Sequence, residues 1–434
     1  MISTPHQFKN RGSLVFLGGL ALAAGLALYS ETNFSLEGGR RFLEPLQLAE
    51  VPANASQVLS EEDLEDAEVA WRYFEQNFRP ETGLVDSVSG FPSTTLWDQG
   101  SYLLALLSAR GLDIISEARF QNRSSALLDA LEQLELFEGR LPNKVYHTET
   151  LEMVTYENSP SAEGIGWSAL DLARLLMSLR VLEMRRPDVG PRIRALLATW
   201  DLNAMTGQGR LYGATREAGE TVYLQEGRIG YEQYGARAAA LWGLDVLEAS
   251  SARTIMDWTK VSSVEVPVDI RRARQFGAIT PTLSEPYLLQ AFELGLNAEG
   301  RLLASRIYKA QEARFDRTGK ITMVSEDHID QAPHFLYSSV FSNGDPWAVV
   351  AETGARYDEL RSVSLKAAFG WDALLGTDYT HQARSYLQEL KRTDGWATGR
   401  YEADGRVNEI VTLNTNAVVL EAMHFIAKGP LSQN

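Results

Sequence analysis

The stretch SEEDLEDAEVAWRYFEQNF, residues 60–78, decides the fold class. Ser60 offers a hydroxyl to the free N–H groups of a helix start, and Glu61, Glu62 and Asp63 put negative charge into the first turn, where the helix dipole favours it. Apolar residues then recur at helical spacing. The same amphipathic text returns at about 97–112, 117–137, 164–185, 190–199, 231–249, 284–296, 298–314, 357–375, 379–391 and 412–427. Strand-like alternation is confined to pieces such as GKITMVSED (319–327) and LYGATREAGETVYL (211–224). Helices of this length, joined by loops that hold most of the Gly, Pro, Trp and Tyr, predict stacked helical hairpins. An open solenoid would repeat with a period of roughly 30 to 50 residues, and the loops show none. The expectation is therefore an all-α fold, a closed (α/α)6 toroid with short β-hairpins in its rim loops.

At 434 residues and 44% hydrophobic content the chain can bury a large core. Its formal net charge of −16 opposes polyanions, which argues against nucleic acid and anionic membrane surfaces as partners and leaves a neutral glycan unaffected. Cysteine is absent, so there is no disulfide, thiolate nucleophile or Cys-bound zinc, and the six histidines lack metal-ligand spacing. No metal or other cofactor is expected. GxSxG, P-loop and GxGxxG motifs are missing as well. Residues 14–29, LVFLGGLALAAGLALY, form an apolar run behind Lys9 and Arg11. This run is short beside the roughly 20 residues of a spanning helix. It reads as an inner-membrane signal anchor, or as a cleaved signal peptide, within residues 1–30. A linker (31–59), a helical domain (60–428) and a short tail (429–434) follow. The positive flank places the domain outside the cytoplasm, in the periplasm if anchored and secreted if cleaved.

Several helix starts pair a carboxylate with aromatic rings. Asp98 follows Trp97; Glu232 lies between Tyr231 and Tyr234; Glu285 precedes Tyr287. Asp171 stands in an otherwise apolar helix with Arg174 one turn on, downstream of Tyr156, Glu157 and Trp167. Further rings and acids occur at Asp327, Tyr337, Trp347, Trp396 and Tyr401, and two amides, Asn414 and Asn416, open the last helix. Carboxylates among Trp and Tyr suit a sugar cleft, where rings stack on pyranose faces and acids bind hydroxyls. They equally suit helix caps, an Asp171–Arg174 pair worth tenths of a kcal/mol, and loops packed over a core. Asn414 and Asn416 either face such a cleft or tie down the loop GWATGRYE, residues 395–402.

Six blocks in order, STTLWDQGSYLLALLSARGL, GWSALDLARLL, GYEQYGARAAALW, SEPYLLQAFELG, DPWAVV and GWATGRYE with VTLNTNAVVLEAM, resemble the bacterial domain of unknown function 3131 family over about residues 60–428. More distantly, TGLVDS, ARGLDIISEAR, YHTETLE and WSALDLARLL are similar in order to glycoamylase-like proteins and to the endo-β-1,2-glucanases of glycoside hydrolase family 144. That resemblance implies an (α/α)6 toroid and metal-free carboxylate catalysis. Its S-x-x-D-x-A-x-L motif falls on Ser168 and Asp171, and its aromatic-x-Glu motif on Glu232 or Glu285. Gly166 and Trp167 stand where those enzymes carry an acid before the serine. The expected function is a glycoside hydrolase acting on a β-glucan or exopolysaccharide. Asp171 and Glu232 are the leading pair, with Asp98, Glu157 and Glu285 as alternates. The alternative is a non-catalytic polysaccharide-binding or scaffold protein.

Overall fold

The computed structural model describes residues 57–271 and 278–433. The expected anchor and nearly all of the linker fall outside them. Among the described residues no helix is long and apolar enough to cross a membrane. Eleven α-helices occur there: α1 Glu61–Gln76, α2 Leu96–Gly111, α3 Glu117–Gln133, α4 Ala169–Arg185, α5 Gly190–Leu197, α6 Tyr231–Ala240, α7 Glu285–Leu289, α8 Ala298–Thr318, α9 Leu365–Leu375, α10 Asp378–Tyr386 and α11 Leu413–Lys428. Helices α2, α4, α6, α7, α9 and α11 pack side by side in that order, and α11 closes on α2. The remaining helices alternate with them along the chain and pack on the outside of this ring.

Local chemistry sets where the helices begin. Ser60 accepts from the Asp63 N–H while Asp63 returns a bond to the Ser60 N–H. The side chains of Thr95, Ser116, Ser168, Asn297, Thr377 and Thr412 likewise accept a first-turn N–H of their helices, each cap being worth about 1 kcal/mol. Helices α8 and α9 stop on Gly319 and Gly376 in the left-handed region. Two segments are shorter than their sequence pattern. The pattern at 231–249 yields α6 only to Ala240, followed by a turn and a 3-10 segment at Glu248–Ser250 in the place of an outer helix. Helix α7 gives way after Leu289 to a π turn, Gln290–Leu294, which holds an extra residue.

All strands among the described residues lie in the six loops that precede inner helices. The longest hairpins are Arg210–Glu217 with Glu220–Gln225 and Met256–Val261 with Val264–Asp269. A four-stranded sheet surrounds Gly395–Tyr401. This strand content exceeds the all-α expectation, because these loops are long and their backbone groups must pair with one another. Most strands span two to four residues, too few for an alternating pattern to show in the sequence. The connections at the other rim are short, for example 112–116, 295–297 and 376–377. The toroid thus has one elaborated rim, where the inner helices begin.

The ring axis is charged. Arg174 of α4 has no solvent exposure and donates to Ser101 Oγ on α2 at 2.7 Å, Tyr234 Oη on α6 at 3.2 Å, Glu293 Oε1 in the π turn at 2.7 Å and Glu421 Oε1 on α11 at 3.0 Å. Tyr234 also donates to Glu293 Oε2 at 2.7 Å. Burial and the charge of Glu293 push the Glu421 carboxyl well above the usual range against the pull of Arg174. The alternative of an Asp171–Arg174 pair is thereby set aside: Arg174 points along the axis and takes its partners from other helices. Arg174→Leu is expected to lower stability by about 3–5 kcal/mol, the cost of leaving a buried partner charge unpaired. An unchanged midpoint in denaturant unfolding would show that the cluster carries no such weight.

Candidate active site

The inner helices present their first turns to the elaborated rim, and their side chains there are linked. Trp97 Nε1 donates to Asn414 Oδ1 at 3.2 Å, and Asn414 Nδ2 donates to Glu285 Oε1 at 2.8 Å. Glu285 is ion-paired with Lys366 at the start of α9, whose ammonium lies 3.8 Å from Asp327 Oδ1. The Trp97 ring meets Tyr231 edge-on at 5.5 Å and covers the Arg174 guanidinium at 4.8 Å. Tyr231 Oη donates to Glu326. Asn414 therefore sits at the mouth, joining α2, α7 and α11. Asn416 makes the other choice: it accepts from Trp396 N at 2.8 Å and donates to the Trp396 carbonyl, tying down the GWATGRYE loop.

Asp171 stands on the opposite side of the mouth from Lys366, in the first turn of α4. Ser168 Oγ donates to Asp171 Oδ1 at 2.9 Å and accepts from the Asp171 N–H at 3.1 Å. The side chain reaches solvent yet is closely surrounded by protein, as at the base of a depression. Burial, then the nearby Glu226 carboxylate, push its pKa up to about 8. Tyr156, 60% exposed, and half-buried Tyr337 stand within electrostatic reach of Asp171. Asp98 lies nearby, buried and bonded to Ser87 and Thr95. Thr95 rather than Asp98 caps α2.

On the Lys366 side, burial pushes the Asp327 carboxyl up to about 7 against the pull of Lys366. Neither Asp327 oxygen has a normal hydrogen bond. Lys366 is raised above the ordinary lysine range, since Glu285, Glu326 and Asp327 outweigh the burial that opposes its charge. Lys366, Glu285, Glu326 and Asp327 are all buried, so this charged group lies beneath the mouth, and Asp171 is the acid that solvent reaches. Among the described residues no group of three or more His, Cys, Asp or Glu side chains is placed to hold a metal ion.

Other expected site residues are closed off. Glu232 has no exposure and is held by Arg271 at 2.7 Å and Arg210 at 3.1 Å, a structural setting in place of the catalytic one expected. Trp167, Tyr234, Tyr287, Trp347, Trp396 and Tyr401 are buried, so none offers a stacking face to a sugar. Trp167 donates to the Tyr212 carbonyl under the 210–225 hairpin, Trp396 to the Asp66 carbonyl, and Tyr401 to Asp330. Packing claimed these rings because large apolar surfaces gain most from burial. Glu157 is exposed on the loop beside Tyr156. The rings left at the mouth are Trp97, Tyr156, Tyr231 and Tyr337. Sequence reasoning missed Lys366, Glu326 and Glu226. For Lys366 a signal existed, a lone lysine in the apolar start LKAAFGWDALL. A separate cavity of about 520 Å³ lies at the far rim, but its Asp63 and Asp372 are already paired with Arg384 and His381.

The family described as protein of unknown function (DUF3131) matches residues 65–429. The chain belongs to this family. No curated protein matches its sequence. Among solved structures, it is similar to the endo-β-1,2-glucanase of Chitinophaga pinensis in complex with sophorotriose and glucose, with TM-score 0.61 and 12% identity over 87% of this chain and 95% of that one. A Bacteroides fragilis protein whose glucoamylase name is provisional aligns at TM-score 0.64 and 13% identity, over 88% and 94%. A mutant Talaromyces funiculosus endo-β-1,2-glucanase with bound β-1,2-glucan aligns at 0.54 and 12%, over 86% and 85%. At such identities the likeness establishes the glycoside-hydrolase-like (α/α)6 fold.

A raised carboxyl pKa makes stability depend on pH. The folded state binds a proton at Asp171 that the unfolded chain releases near 3.8, so this contribution is full below that value and is lost as pH rises toward about 8. Asp171→Asn is expected to flatten the fall in melting temperature across that window. Parallel pH profiles for the two proteins would contradict the assignment.

Proposed function

We propose that the protein is a glycoside hydrolase whose substrate is a β-glucan or related exopolysaccharide. The observation that carries this reading is Asp171, a solvent-reached acid with its pKa pushed up to about 8, at the mouth of a glucanase-like toroid and near the exposed ring of Tyr156. Asp171 would donate its proton to the glycosidic oxygen as the C–O bond breaks. A second, ionised carboxylate at the mouth would take a proton from the water that adds to the anomeric carbon. Trp97, Tyr156, Tyr231 and Tyr337 would stack on the sugar rings, with Asn414 and Asp98 bonding hydroxyls. The glucan-bound neighbours make β-1,2-glucan the first substrate to try.

Cleavage should fall as pH rises through about 8, because Asp171 must be protonated to act as the acid. Asp171→Asn should reduce the release of reducing ends from β-1,2-glucan by at least ~100-fold, the scale of general-acid catalysis. A folded variant that still cleaves would remove Asp171 from the mechanism.

A second reading is supported by Gly166 and Trp167, which bring no acid before Ser168, and by the paired state of Glu232. It is a polysaccharide-binding protein without turnover. Binding without new reducing ends, across β-glucans and exopolysaccharides, would favour it. In either case the apolar run at 14–29 supports a site of action outside the cytoplasm, anchored to the inner membrane. Residues 1–59 fused to alkaline phosphatase should give an active, membrane-associated fusion, and an inactive one would overturn that location.

A further inference from the structure

Glu226 lies at the end of the 210–225 hairpin, far from any motif, yet its carboxylate is seated on the first turn of α4. The N–H groups of Ala169 and Leu170 both donate to Glu226 Oε2, the latter at 3.3 Å. Those two residues stand between the cap Ser168 and Asp171. A helix N-terminus favours an anion and supplies unpaired N–H donors, but the seat here is also built by the hairpin. Gly166, at φ +113°, could carry no side chain, since a Cβ would come within 1.9 Å of the Ala214 carbonyl oxygen. The Ala214 N–H donates to the Trp167 carbonyl at 2.9 Å, docking the hairpin strand on the approach to α4. Gly213 leaves room for the carboxylate: a Cβ there would stand 2.9 Å from Glu226 Oε2.

Resting on the reading of Asp171 as the acid, we propose that Glu226 is its positioning residue, a second carboxylate that the hairpin brings to the α4 mouth to keep the proton on Asp171. Glu226 stays half-buried, with solvent reaching the side chain; burial raises its own carboxyl, while Lys144 and backbone donors that Asp171 does not share favour its charge. Two neighbouring carboxylates resist ionising together, so the one with better anion donors ionises first and the other retains its proton. The groups facing Asp171 are Glu226 and Asp98, which oppose its charge; Lys144, which favours it; and the neutral Ser168, Tyr156 and Tyr337. Glu226 follows only burial among the influences that raise Asp171. The device also explains how α4 obtains an acidic neighbour although Gly166 and Trp167 supply none.

The test reads Asp171 directly, so it stands even if no glycan is cleaved. The Asp171 carboxyl is followed by ¹³C chemical shift against pH in selectively labelled protein, assigned by its loss in Asp171→Asn. In Glu226→Gln the midpoint should fall by about one unit, which is a tenfold loss of the protonated form at alkaline pH. Gly213→Ala, which crowds Glu226 without removing it, should move the midpoint the same way by less. If cleavage is observed, the alkaline limb of the pH profile should shift to lower pH in both variants, with KM little changed. An Asp171 midpoint unaltered in folded Glu226→Gln would overturn the proposal, whereas a shifted midpoint in a protein that cleaves nothing would sustain it and count against the hydrolase reading.

Discussion

A fully buried arginine is the interaction on which the architecture turns. Arg174 binds side chains from α2, α6, the π turn after α7 and α11, so one guanidinium ties α4 to four other members of a six-helix ring. Its planar fork suits this task, offering several donors in fixed directions where a lysine would offer a single point of charge. The arrangement is tolerable in an apolar interior because Glu293 and Glu421 both accept hydrogen bonds from the guanidinium and balance its charge. The same guanidinium lies beneath the Trp97 ring, so the cluster that closes the toroid also supports the floor of its mouth.

Above that floor the inner helices contribute one side chain each to the mouth: Trp97, Asp171, Tyr231 and Asn414 reach solvent, while Glu285 and Lys366 lie buried beneath them. All come from first turns, where side chains project past the helix end and backbone donors are free. The asymmetry of the two rims has the same origin. Short connections at one end hold the helices in register, while long loops at the other pair their own backbones as hairpins and wall the opening.

Much of the fold was legible because it rests on local rules. Ser60, the first-turn acids and the recurring apolar faces marked the helices, and the lack of a fixed period pointed to closure. The strands were less visible: two to four residues leave no pattern, and their partners lie in distant loops. The site divided by range of interaction. Asp171, Trp97 and Asn414 could be suspected from sequence, since a polar or aromatic residue at the start of an apolar helix is locally odd. The burial of Trp167, Trp396 and Tyr234 could not, because a tryptophan on the rim and one beneath a hairpin read alike until the chain is folded. Glu226 was invisible for the same reason, its partners lying 56 and 57 residues away.

The π turn at Gln290–Leu294 shows how little separates this geometry from a failed one. One surplus residue rotates the downstream chain by roughly 100° relative to a regular α-helix, and Glu293 reaches the axis from within that wide coil. A single-codon deletion there would leave composition, charge and hydrophobic content almost untouched while swinging the arginine's counterion out of line. The protein's tolerance of insertions and deletions should therefore be uneven: generous in the hairpins around the opening, and close to nil along five residues of an otherwise ordinary helix.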